Sequence, residues 1–119
     1  MLAEKEARSF AEEWAAAWNA HDLERILAHY CEDVTLTSPV VVQLLGQAAG
    51  TVVGKPALRA YFKRGLDAYP QLRFAIERVA WGVRSVVVLY QNQRGTRTAE
   101  FMELADDGRV RRVVANYDG

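Results

Sequence analysis

The apolar residues of this chain switch from a helical to a strand period, and that switch limits what it can fold into. Ala7, Phe10, Ala11, Trp14, Ala17 and Trp18 recur every three or four positions, one stripe of an α-helix, while Glu4, Arg8, Glu12 and Glu13 fall largely off it. Asn19 to His21 break the pattern. Asp22 suits the N-cap of a second short helix with Leu23, Ile26, Leu27 and Tyr30 on its apolar side. From Val34 the period is two: Val34, Leu36 and Ser38 share one strand face, Thr35 and Thr37 the other, and Pro39 ends the strand.

Residues 40–53 carry an apolar run broken by Gly46 and Gly50, which reads either as a short helix followed by a strand or as a loop over a pocket. Gly54 and Pro56 open a third helix with the stripe Leu58, Tyr61, Phe62, Leu66 and Tyr69, stopped by Pro70. The rest reads as strands joined by turns. Leu72, Phe74 and Ile76 alternate in the first. Ser85–Gln93 is apolar on both faces, as in a central strand covered on both sides. Arg94-Gly95 and Asp106-Asp107-Gly108 read as turns. Between them, Thr98, Glu100, Met102 and Leu104 share one face, and a last strand covers about Val110–Tyr117. Helices first and an antiparallel meander afterwards predict one α+β domain over residues 1–119, with N-terminal helices packed on a curved, mostly antiparallel sheet.

Charge narrows the function classes. Fifteen basic and fifteen acidic residues leave no net charge, which disfavours a nucleic-acid binder. Residues 1–33 hold eight acids and three bases, the remainder seven and twelve, a distribution suited to internal or self-complementary pairing. No apolar run reaches the ~20 residues of a membrane span. The charged start MLAEKEARSF lacks the apolar core of a secretory signal, and the single cysteine, Cys31, has no intrachain partner. A cytoplasmic protein is the expectation.

Several motifs are missing. His21, His29 and Cys31 have no metal-ligand spacing, so no metal is expected. There is no phosphate-cradling glycine loop and no Ser–His–Asp set, and no cofactor is expected. What stands out is Glu100 beside Met102 on a face that reads inward. A carboxyl in an apolar cavity has its pKa raised by desolvation and can then move protons near neutral pH. The alternative is a rim glutamate paired with Arg97 or Arg112. Ser38 continues the apolar face of Val34 and Leu36, so it either lines a cavity or caps backbone before Pro39. Trp14, Trp18, Tyr30, Tyr61, Phe62 and Tyr90 either wall a pocket for a small apolar ligand or pack a core.

The segments WAAAWNAHDLERILAHYCEDVTLTSP and GKPALRAYFKRGL, with the closing DDGRVRRVVANY, resemble the nuclear transport factor 2-like superfamily, in its SnoaL-like and ketosteroid-isomerase-like branch. The resemblance covers nearly the whole chain. It implies a cone, a strongly bent sheet wrapped around three helices, with an apolar pocket at one end and a homodimer through the outer sheet face. Val87 and Leu89 would otherwise make that face sticky. In the isomerases a carboxylate before the proline moves the proton, and a helix tyrosine and a protonated acid hold the enolate. The handed-down positions here are Ser38, Trp14 and Glu100, with Tyr30 at a second tyrosine position. Ser38 has no useful basicity, so the familiar isomerase route is not expected. The resemblance leaves three readings: a cofactorless acid/base enzyme of isomerase, cyclase, lyase or epoxide-hydrolase type acting on an apolar or polycyclic compound, with Glu100 moving the proton; a non-catalytic small-ligand binder; or a dimeric interaction module.

Overall fold

The computed structural model describes residues 1–119. Helix α1 spans Glu4–Asn19. Its start is fixed by Glu6, whose carboxylate accepts the Ala3 N–H at 3.1 Å, and Glu4 and Glu6 both favour the positive helix end. The stripe buries Ala7, Ala11, Trp14, Ala17 and Trp18, and Ala15 joins them. Helix α2, Leu23–Leu27, is capped by Asp22, whose side chain accepts the Arg25 N–H. Tyr30 departs from the sequence reading. It is not on α2 but opens strand β1, Tyr30–Thr37, because the neighbouring His29 carbonyl accepts the Val110 N–H at 2.8 Å and ties the chain into the sheet.

Pro39 does not simply end β1. Ser38 accepts the Val40 N–H and starts helix α3, Pro39–Leu45, which Gly46 closes in the left-handed conformation. Strand β2, Thr51–Val53, follows, so residues 40–53 are a helix and a strand. Gly50 makes this return possible. At φ +66° it hands its carbonyl to the Ser38 N–H at 2.9 Å, and a Cβ there would meet Val42 at 3.0 Å. The third predicted helix is therefore the fourth, α4, Lys55–Ala68, burying Leu58, Tyr61 and Phe62.

Strands β3 (Ala75–Trp81), β4 (Ser85–Gln91), β5 (Arg97–Leu104) and β6 (Val110–Asp118) complete the chain. Leu72 and Phe74, expected within β3, precede it. The six strands form one sheet in the order β2-β1-β6-β5-β4-β3, antiparallel except where β1 runs parallel to β6. β4 is an interior strand, as its two apolar faces predict. The register shifts between Tyr30 and Thr35 in the β1–β6 pairing, and irregularities like this bend a strand. The concave face carries Val34, Leu36, Val86, Val88, Tyr90, Thr98, Glu100, Met102, Leu104, Val113 and Ala115, all buried under the helices.

The charge asymmetry resolves into pairs between elements: Glu13 with Arg25, Glu24 with Arg59, and Lys55 near Glu32 at 3.8 Å. These carboxylates are about half exposed or more, so solvent screens each pair and it adds little stability. No helix is long and apolar enough to cross a membrane.

Candidate functional site

The inner sheet face and the helices do not close completely. Between them lies a cavity of about 90 Å³ walled by Trp18, Tyr30, Ser38, Tyr61, Phe62 and Glu100, among others. With Tyr90, these are seven of the nine residues singled out from the sequence. Trp14 and Met102 are not on the wall. They are buried behind it, at 1% and 0% exposure. The volume is below the ~300–1,000 Å³ usual for a ligand site. A polycyclic compound would not enter whole unless side chains moved.

Glu100 sits on β5 between Thr98 and Met102, opposite Val88 on β4 and Ala115 on β6. The strand period turns it inward. It is 9% exposed, and its one hydrogen bond is received from the Tyr90 hydroxyl, 2.8 Å from Oε1. Burial pushes its carboxyl up to about 7, with the Tyr90 hydrogen bond opposing. The rim pairing does not occur. Arg97 binds Glu77, and Arg112 lies over Phe101 at 5.1 Å. At neutral pH Glu100 is present in both protonation states.

The aromatic residues are held by their polar ends as well as their rings. Trp14 donates its indole N–H to the Tyr30 hydroxyl at 2.9 Å and stacks on Phe74 at 5.4 Å. Trp14 thus positions Tyr30 from behind. Trp18 packs edge-on against Phe62, with ring centres 4.7 Å apart. Tyr30 and Tyr61 are pushed well above the usual phenol range and Tyr117 up to about 12, burial being the largest cause in each. All three remain neutral donors at physiological pH. Ser38 fills both of its expected roles. It lines the cavity, 4% exposed, and its Oγ accepts the Val40 N–H at 3.1 Å.

The sequence reading missed part of the wall. Leu72 and Phe74 reach it from the connection between α4 and β3. Asn19, at the end of α1, clamps that connection: its amide donates to the Phe74 carbonyl at 3.0 Å and accepts the Phe74 N–H at 2.7 Å. His21 Nε2 adds a contact to the Leu72 carbonyl at 2.9 Å. Asn19 through Asp22 is therefore a device that ends one helix, starts the next and fixes a wall of the cavity. Tyr117, Asn92 and Arg94 complete the outer end. Tyr117 had a usable signal, because it continues the inward alternation of Val113 and Ala115.

No group of three His, Cys, Asp or Glu side chains lies together as a metal site would need. His29 instead faces Phe10 and Glu13, and the Cys31 thiol points to the Arg109 carbonyl.

The SnoaL-like domain model matches residues 11–115. The chain is similar to the crystal structure of a SnoaL-like protein of unknown function from Burkholderia thailandensis E264, at 35% identity over 100% of both chains, with a TM-score of 0.93. It shares its fold with a candidate isomerase of the SnoaL-like family from Agrobacterium tumefaciens C58, at 18% identity over 97% of this chain and 99% of that one, TM-score 0.76. It also shares it with TerC, co-crystallised with polyporic acid, at 19% identity over 95% and 92%, TM-score 0.77. No curated protein matches the sequence.

Proposed function

The chain belongs to the SnoaL-like domain family, and we propose that within it this protein is a cofactorless acid/base enzyme acting on a small, largely apolar molecule. One observation carries this reading: a buried carboxyl, Glu100, whose single partner is the Tyr90 hydroxyl and whose pKa lies at about 7. General acid/base catalysis works best when the catalytic pKa is near the working pH. As carboxylate, Glu100 would take a proton from an activated C–H. As acid, it would return the proton to the neighbouring atom of the intermediate. Tyr30 and Tyr61, kept neutral by burial, would donate to a developing oxyanion, and Ser38 would hold a polar group or a water. Isomerisation requires only such proton transfers; in an aldol-type cyclisation the enolate carbon would also bond to a carbonyl carbon of the same molecule, whose oxygen takes the proton, and in an elimination the returned proton would leave with the departing hydroxyl as water.

The probe reaction is deuterium uptake at the α-carbons of small cyclic ketones in heavy water, followed by NMR. The native protein is expected to accelerate it, and Glu100→Gln to lose about 100-fold or more of that acceleration. An unchanged rate in Glu100→Gln would overturn the role given to Glu100.

A second reading, binding without turnover, is favoured by Ser38. It stands where the isomerase-type base would be, and its hydroxyl is already engaged by the Val40 N–H. Ligand binding with no exchange by the native protein would support that reading over the enzyme.

The outer sheet face bears half-buried Val87, Leu89, Phe101 and Val114, which supports pairing with a second copy. Light scattering that gives a monomer at micromolar concentration would remove that proposal. Placement in the cytoplasm remains part of the same reading, motivated by the lone buried Cys31.

A further inference from the structure

Buried polar groups in native proteins almost always have partners, so an exception calls for an explanation. This chain has one buried side-chain nitrogen or oxygen that makes no hydrogen bond of normal geometry: Nε1 of Trp18, which lies near enough to the Tyr30 hydroxyl to lower that phenol's pKa without bonding it. Trp18 is 7% exposed, lies on the cavity wall, and is locked by Phe62 and by Phe74, whose ring centre is 5.5 Å away. An indole N–H can only donate. Tyr30, on the same wall, already receives the Trp14 N–H on its oxygen, which leaves its proton as the part it offers. The inner end of the cavity is thus rich in donors. Its charged wall residues are Glu100 inside and Arg94 on the exposed turn, so no cation stands inside to balance an anion.

We infer that the cavity takes a compact, uncharged molecule that presents a hydrogen-bond-accepting oxygen at its buried end, and that Trp18 Nε1 is the donor that selects it. This deepens the reading of the cavity as a small-molecule site and rests on it. The small volume sets the size: one ring or its equivalent is enclosed, and anything larger extends outward past Arg94. A ligand that displaces water from this wall must bring its own accepting oxygen or leave the indole N–H unpaired, so discrimination against its oxygen-free isostere follows.

Cyclohexanone and methylenecyclohexane share one shape and differ by oxygen against CH2. Their affinities for the native protein and for Trp18→Phe, which keeps an aromatic ring and removes the N–H, form a thermodynamic cycle. The preference for cyclohexanone is expected to fall about 3- to 10-fold in Trp18→Phe. In the native protein, the Trp18 indole proton, assigned through its contacts to Phe62 and Phe74, is expected to move downfield with cyclohexanone and not with methylenecyclohexane. This second readout stands even if the variant does not fold. An unchanged preference, or an unmoved Trp18 resonance while cyclohexanone binds, would overturn the inference and leave the ligand site standing. Failure of both compounds to bind would overturn the ligand site as well.

Discussion

Tyr90 and Glu100 are diagonal neighbours on the concave face, Tyr90 opposite Thr98 and Glu100 opposite Val88, and the Tyr90 hydroxyl donates to Glu100 Oε1 at 2.8 Å. Diagonal positions on adjacent strands are within reach of a long aromatic side chain. The pair leaves Oε2 of Glu100 for a ligand or a proton. It also keeps the carboxyl from rotating, because Tyr90 is itself fixed against Phe74 with ring centres 4.2 Å apart.

Tyr90→Phe removes a hydrogen bond that lowers the Glu100 pKa. The carboxyl should then titrate above about 7, read by carbon-13 NMR of the glutamate carboxyl. The buried bond should also cost about 1 kcal/mol in urea denaturation. A Glu100 pKa that stays put or falls would contradict the pairing.

Glu100 makes stability depend on pH. Its pKa rises from an ordinary 4.5 to about 7 on folding. Below about 4.5 it is neutral in both states. Between those values the unfolded chain ionises it more readily, so stability falls as pH rises. Above about 7 the loss is complete, roughly 3 kcal/mol. Glu100→Gln lacks this term, so its stability relative to the native protein should grow by about that much from pH ~4 to pH ~8. Parallel stability curves would show that Glu100 is not held as described.

Asn19→Ala should unfasten the segment before β3. Two hydrogen bonds to the Phe74 backbone are lost, for about 2 kcal/mol. Hydrogen exchange of the Phe74 amide should accelerate more than that of the β4 amides. Uniform acceleration would mean that Asn19 acts on global stability alone.

Ala115→Leu should occupy the cavity from the β6 side, directly beside Glu100. Cyclohexanone binding by NMR should be lost while the circular-dichroism spectrum is kept. Binding at native affinity would place the ligand elsewhere.

The parts legible in the sequence are those set by short-range geometry. Alternation along β5 put Glu100 on the face of Met102 and Leu104, and the turn at Gly95 lies where Arg94-Gly95 predicts it. Tyr30 has helical spacing from Ile26 and Leu27, yet the Val110 N–H, eighty residues on, bonds the adjoining His29 carbonyl and pulls the chain into the sheet. Asn19 shows in the sequence only as a break in a helix, since its partner at Phe74 is distant along the chain.

The order of elements outside residues 40–53, the inward face of the central strands and the carboxyl on one of those faces follow from the sequence by itself, because side-chain direction repeats every 2 or 3.6 residues whatever the surroundings. Which inward residues meet open space was decided by the tertiary structure alone. Trp14 and Trp18 lie on one helical stripe, yet one has its N–H bonded to Tyr30 and the other has it unpartnered on a cavity wall. That difference depends on how closely α1, α4 and the segment before β3 approach the bent sheet at each level, a sum of side-chain volumes from segments that no local pattern brings together.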